Sequence, residues 1–194
     1  ALAAGMRFFA AQMQDYADRR QTGKARSSTA QAWPHQPLDI EALRCPVERD
    51  DCLEYWLPRQ GAIRAALKQY AHVLRRYHSL LEMPEYEEVI PPDLAVAMPY
   101  YGDLVAASDL VLMQAALLLH EGDATQALLL LEHNARLHQR FMAGSRTLIG
   151  GMIALSMQMR QQRIVSHLLL RHPVLARAHT ARWQAALPSE PDLS

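Results

Sequence analysis

Apolar residues recur every three or four positions along most of the chain, and this spacing predicts an all-α protein. Glycine is scarce, with 8 among 194 residues, which favours helix further. We expect a five- to six-helix bundle with an N-terminal helical arm. The pattern divides the chain into an amphipathic helix at 1–20, a linker at 21–44, a helical bundle domain at 45–188 and a frayed tail at 189–194.

The helix at 1–20 gathers its large apolar residues on one face. These residues follow spacings of 4, 3, 4 and 3: Leu2, Met6, Phe9, Met13 and Tyr16. Such a face can dock on the body of the protein, continue a membrane anchor or pair with another copy.

A long helix is predicted from Pro58, which suits a first helical turn, to about Met83. Its apolar seam has coiled-coil-like spacing and consists of Ile63, Leu67, Tyr70, Leu74, Tyr77 and Leu81. The opposite side is mostly basic, and its cations Arg64, Lys68 and Arg75 are candidates for binding an acidic partner or lipid headgroups. An ordinary solvated face is the alternative.

A proline-rich stretch follows Met83 and contains the aromatic residues Tyr86, Tyr100 and Tyr101. Long connections in compact domains are uncommon and are frequently functional. We therefore add these tyrosines to the candidate interaction surface. A short helix at 92–98 that only bridges two long helices is the alternative.

The run from Leu117 to Leu128 predicts two antiparallel helices joined by a tight turn, in which Gly122 ends one helix and Asp123 caps the next. This hairpin, within 103–142, resembles the junction of a tetratricopeptide repeat. No second copy follows at the period of about 34 residues that such repeats have. The resemblance therefore implies a single helical hairpin.

The next helix is predicted from Ser145 to about Leu170, and its first part, 148–155, is apolar on all sides. Such a helix is expected to be buried all round. Gly150 and Gly151 lie inside it, although each costs roughly 1 kcal/mol relative to Ala. We expect them to allow close approach of a neighbouring helix or of a bound ligand.

Cys45 and Cys52 are the only cysteines of the chain. A loop of this length can bring their Cα atoms within the roughly 4.4–6.8 Å that a disulfide requires. A disulfide would imply the periplasm or an extracellular space. Two free buried thiols and a redox-active pair are alternatives, and a metal site would need two further ligands nearby.

Asp109 lies in a mostly apolar helix, and Arg146 precedes the apolar run at 148–155. A buried charge has to be paired or hydrogen-bonded. We therefore predict that Asp109 and Arg146 meet, or that each binds backbone groups.

The 20 basic and 20 acidic residues balance, so net charge does not indicate a nucleic-acid partner. The chain has no H-E-x-x-H, no G-x-S-x-G and no glycine-rich phosphate loop. We expect no metal, no cofactor and no catalytic residue. The longest apolar stretches are shorter than the about 20 residues that span a bilayer. If the disulfide forms, we expect an export signal or a membrane anchor upstream of Ala1.

Three segments carry a resemblance to a family: Cys45 with 51–53, the run 74–80, and 145–149 with 152–154. They resemble uncharacterised proteobacterial proteins that are anchored in the inner membrane and have a periplasmic helical part. The resemblance implies a location and a helical fold, and it implies no activity.

The sequence thus predicts a non-catalytic periplasmic helical module with a structural or protein-interaction role, whose partner is another protein or a second copy. The alternative is a binder of an apolar small molecule or lipid in the bundle core, around Gly150 and Gly151.

Overall fold

The structure is a computed structural model that describes residues 38–49, 51–88 and 101–186, together with Gln14, Ala17, Asp18, Gln21 and Thr22. Two compact units divide the chain: Ala1–Gln36 with Ile90–Pro99, and Pro37–Val89 with Tyr100–Ser194. The rest of the N-terminal helix and linker, Tyr100, the predicted helix at 92–98 and the tail at 189–194 lie outside the described residues.

In the first unit, all five described positions are helical. Gln14, Ala17 and Asp18 fall within the predicted helix at 1–20, whereas Gln21 and Thr22 fall in the predicted linker. The hydroxyl of Thr22 donates to the carbonyl of Asp18 at 2.8 Å, one helical turn earlier. Gln21 and Thr22 are therefore helical, although they lie after the predicted end of the helix at residue 20.

In the second unit, every regular element within the described ranges is helical, which confirms the predicted all-α bundle. Two short 3-10 helices, Glu41–Leu43 and Leu57–Arg59, accompany the α-helices. The α-helices are α1 (Cys52–Trp56), α2 (Gln60–Gln69), α3 (Ala71–Glu82), α4 (Gly102–His120), α5 (Ala124–Gly144), α6 (Leu148–Arg171), α7 (Pro173–Ala178) and α8 (Thr180–Ala186).

Helix α4 forms the centre of the bundle, packed along α5 and covered by α2, α3 and α6. Helix α5 also packs along α6 and α8. By length and composition α4 could cross a membrane, but most of it is buried inside the bundle, as in the core helix of a folded domain. The turn before α5 forms as predicted, with Gly122 at φ 91° and the side chain of Asp123 accepting from the amide of Gln126.

The predicted helix from Pro58 to Met83 is instead divided into α2 and α3. The backbone of Tyr70 leaves the helical conformation there, at φ −97° and ψ 16°. Its hydroxyl accepts a hydrogen bond from the amide of Asp39 at 3.1 Å, which ties residues 38–44 to the break. Ile40 is only 1% exposed, so this part of the predicted linker belongs to the core.

Helix α6 begins at Leu148 rather than at Ser145. Thr147 is its N-cap and accepts a hydrogen bond from the amide of Gly150 at 3.0 Å. The hydroxyl of Ser145 instead donates to the carbonyl of Phe141 and belongs to the end of α5.

Candidate functional site

A buried carboxylate holds the start of α6. Glu88 is 3% exposed and accepts hydrogen bonds from the backbone amides of Arg146 and Thr147, at 2.6 and 2.7 Å. The hydroxyls of Thr147 and Tyr101 also donate to it. A helix N-terminus presents unpaired amides and a partial positive charge, so a carboxylate at this position stabilises the helix.

Two opposing effects act on the pKa of Glu88. Burial raises it, but the hydrogen bonds from Tyr101, Thr147 and Arg146 outweigh burial and lower the pKa below its ordinary value. Burial and the hydrogen bond to Glu88 raise the pKa of Tyr101, so its hydroxyl stays protonated and donates. Glu88 is therefore ionised at neutral pH and stabilises the folded state in that form.

Glycines let the segment with Glu88 approach α5 and α6 closely. The amide of Glu88 donates to the carbonyl of Gly144 at 2.9 Å. A Cβ atom added at Gly150 would lie 2.8 Å from the carboxylate of Glu88, whereas one added at Gly151 would meet nothing within 4 Å. The expected close approach thus occurs at Gly150, towards a carboxylate rather than a helix, whereas no neighbouring helix approaches Gly151.

Two of the tyrosines predicted as an interaction surface lie in the same region and face inward. The ring of Tyr86 meets the ring of Phe141 edge-on at a centroid distance of 4.8 Å, and Tyr101 lies 5.7 Å from Phe141. Both tyrosines are half-buried. They pack beside the Glu88 contact, and their role in an interaction surface stays a prediction.

The predicted pair of Asp109 and Arg146 does not form. Asp109, with 8% of its side chain exposed, accepts from Arg44 at 2.8 Å and from Arg160 at 2.9 Å. Arg146 pairs with Glu87 at the surface. Arg146 lies before Leu148, where α6 begins, and Leu148 precedes Arg160 by about 18 Å along the helix, so Arg146 does not reach Asp109.

The disulfide loop attaches to the second half of α6. Cys45 and Cys52 form a disulfide with a Cα–Cα distance of 5.4 Å, as predicted. Arg163 of α6 donates to the carbonyl of Cys45 at 3.0 Å, and Arg171 pairs with Asp51. These arginines are thus engaged with the body of the protein.

Five polar side chains form a hydrogen-bonded network inside the bundle, and each is at most 2% exposed. The hydroxyl of Tyr77 donates to Asn134, whose amide donates to Ser108 at 3.1 Å and Gln161 at 2.9 Å. Ser108 also contacts Nε2 of His138 at 3.0 Å, and burial lowers the pKa of His138 to about 3. The network joins α3, α4, α5 and α6 and lies beyond the reach of solvent.

The opposite side of α6 is exposed, and we call it the outer face. Its seven residues follow spacings of 4, 3, 4, 3, 4 and 4: Leu148, Met152, Leu155, Met159, Gln162, Ser166 and Leu170. The five apolar side chains among them are 80, 60, 50, 60 and 79% exposed, in chain order. The expectation that 148–155 is buried on every side is therefore wrong, because only the side with Ala154 and Met157 faces the core.

The outer face is also uncharged. None of its seven residues carries a charge. Arg160 and Arg163, which lie between Leu148 and Leu170, bind Asp109 and the disulfide loop. Solvated helix faces normally carry charged residues, and monomers rarely expose large contiguous apolar patches. The outer face thus has the composition of an interface.

The basic side of α2 and α3 is exposed, as expected both for an ordinary solvated face and for a surface that binds a partner. Arg64 pairs with Glu121, and Arg75 borders an open groove of about 500 Å³ beside Leu74. A role of Arg64, Lys68 and Arg75 in binding a partner stays a prediction.

Among the described residues, no group of three His, Cys, Asp or Glu side chains could hold a metal ion. Neither the models of known protein families, nor the curated proteins, nor the solved structures contain a match to this chain. Its class is therefore defined by fold and surface: an all-α bundle with a disulfide and an exposed apolar helix face.

Proposed function

We propose that this protein is a non-catalytic, periplasmic helical interaction module, and that the outer face of α6 binds a helix of a protein partner. The observation that carries the proposal is the row of five exposed apolar side chains on a helix face without charge. A structural role in an assembly would use the same surface.

The spacing of the outer face favours a helical partner. Alternating steps of 4 and 3 residues place side chains along one seam, as in helices that pack against each other as coiled coils. Complete burial of a large apolar side chain contributes roughly 1.5–3 kcal/mol. The five side chains, each still at least half exposed, would together contribute roughly 5–9 kcal/mol to binding. A partner seam of similar composition would raise the sum to roughly 10–18 kcal/mol, which is comparable to the association cost of about 4–15 kcal/mol.

The contacts on the inner side of α6 keep the outer face in a fixed position. Glu88 holds the first turn, and Arg163 and Arg171 attach the second half to the disulfide loop. A surface that is already ordered before binding loses less conformational entropy on binding.

The periplasmic location in this proposal is supported by the disulfide, since disulfides persist in oxidising compartments. The family resemblance supports attachment to the inner membrane. The alternative of an apolar ligand around Gly150 and Gly151 stays a prediction, and a Cβ added at Gly150 would collide with the carboxylate of Glu88.

Site-specific photo-crosslinking tests the proposal. Leu155→Cys adds one reactive thiol, because Cys45 and Cys52 are joined to each other, and this thiol is labelled with a benzophenone maleimide. The labelled protein is irradiated in an envelope extract of the native cells. We expect crosslinks, at least about tenfold above control, to one defined protein through a peptide with an apolar helical seam.

Met83→Cys is the matched control, because Met83 is 49% exposed, against 50% for Leu155, and does not lie on α6. Equal crosslinking at both positions, or adducts with lipid alone, would overturn the proposed protein-binding role. The endogenous chain of the same cells should be found in the envelope with Cys45 and Cys52 oxidised. A reduced cytosolic chain would overturn the proposed location.

A further inference from the structure

We infer that the helix bound by the outer face is α6 of a second copy of this chain, so that two α6 helices pair along their outer faces. This inference rests on the proposed function, because it names the partner of the same surface. It is carried by the length of the seam, by the charge of its flanks and by the engagement of the nearby arginines.

The seam is long enough for a helix pair. From Leu148 to Leu170 it covers about three heptads, or about 33 Å of helix. A helix that covers this seam needs an uncharged face of equal length with apolar residues to place against its apolar part. Among the described helices, α6 is the one that exposes such a face, so the chain supplies its own complement.

The flanks of the seam do not oppose self-pairing. Coiled coils select partners through charged residues beside the seam, and like charges there keep identical helices apart. The residues beside the apolar part of the seam are Ile149, Gly151, Ser156 and Gln158, and none carries a charge. A second copy would therefore meet no like-charge repulsion along the apolar part.

The arginines around α6 already have partners. Arg146, before the first turn, pairs with Glu87, and Arg160 binds Asp109. Arg163 donates to the carbonyl of Cys45. Helices that lie on membrane surfaces present Lys and Arg beside aromatic and leucine residues, and the outer face lacks both aromatic residues and cations. These features favour a protein seam over a lipid surface.

Sedimentation velocity of the oxidised chain of residues 1–194, from micromolar to near-millimolar concentration, tests the inference. We expect a reversible monomer–dimer equilibrium. Leu155→Glu should weaken the dimer at least about a hundredfold, because it brings two carboxylates into one apolar seam. Met83→Glu, at a residue with matched exposure outside α6, should leave the equilibrium unchanged.

A second variant acts in the opposite direction. Gln162→Leu replaces the polar residue in the middle of the seam and should tighten the dimer about tenfold. Urea unfolding of each variant confirms that the fold is retained, which is expected because Leu155 and Gln162 are exposed.

The outcomes separate the two proposals. A wild type and a Gln162→Leu variant that both stay monomeric would overturn the pairing of two copies, as would a dimer that Leu155→Glu does not weaken. If Leu155→Cys then still crosslinks a different protein, the proposed function stands with another partner. If it crosslinks no protein, both proposals are overturned.

Discussion

Replacing Glu88 with Ala should lower the free energy of unfolding by about 3–5 kcal/mol. The buried carboxylate accepts from two backbone amides and two hydroxyls, and its loss leaves these donors without a partner at the start of α6. Urea unfolding measures the change. Glu87→Ala is the control, because the neighbouring carboxylate is 62% exposed and its pair with Arg146 should contribute less than about 1 kcal/mol.

Ionisation of Glu88 should make the free energy of unfolding depend on pH. The folded-state pKa of Glu88 lies below its ordinary value of 4.5, so its contribution is complete above that value and is lost as the pH falls through the folded-state pKa. The stability difference between the wild type and Glu88→Gln should therefore shrink as the pH falls below about 4.5. A difference that stays constant down to acid pH would contradict the assigned ionisation.

The second large effect is expected for Asn134→Leu, which should cost about 3–4 kcal/mol. Asn134 accepts from Tyr77 and donates to Ser108 and Gln161, and Leu leaves these three buried groups without that partner. The change in side-chain volume is small, so the loss reports on hydrogen bonding rather than on a cavity.

Gln126→Leu, at an exposed position of the same helix, is the control for Asn134→Leu and should change stability by less than about 0.5 kcal/mol. Both are measured by urea unfolding. Equal effects of the two variants would show that the network does not stabilise the bundle.

Features that depend on neighbours in the sequence were predictable. Gly122 and Asp123 specify a turn through their own backbone and side chain, and the structure has it. Cys45 and Cys52 are close along the chain, so their disulfide follows from a short loop. The helical class also followed, because periodicity and composition act locally.

Features that depend on contacts between distant parts of the chain could not be predicted from the sequence. Asp109 binds Arg44 and Arg160 rather than Arg146, since the choice among arginines depends on how helices are placed. The sequence around Glu88 contains other glutamates and does not single it out. Its function of holding the first turn of α6 follows from where α6 lies in the fold.

The outer face of α6 is a further feature that the sequence alone did not predict. A helix that is apolar on every side does not reveal which side faces the core, so burial of 148–155 was the natural prediction. The spacing from Leu148 to Leu170 was visible in the sequence, but only the exposed fractions distinguish a solvent-facing seam from a buried one.

Methionine oxidation tests the central claim, that the outer face of α6 is covered by a protein, most directly. Met152 and Met159 are each 60% exposed, Met157 on the same helix is 1% exposed, and Met83 is 49% exposed elsewhere. Peroxide is applied to dilute purified protein and to native cells, and each sulfoxide is quantified by mass spectrometry. We predict that Met152 and Met159 react like Met83 in dilute solution but are strongly protected relative to Met83 in cells, with Met157 slow in both. Unchanged reactivity of Met152 and Met159 relative to Met83 in cells would contradict the account.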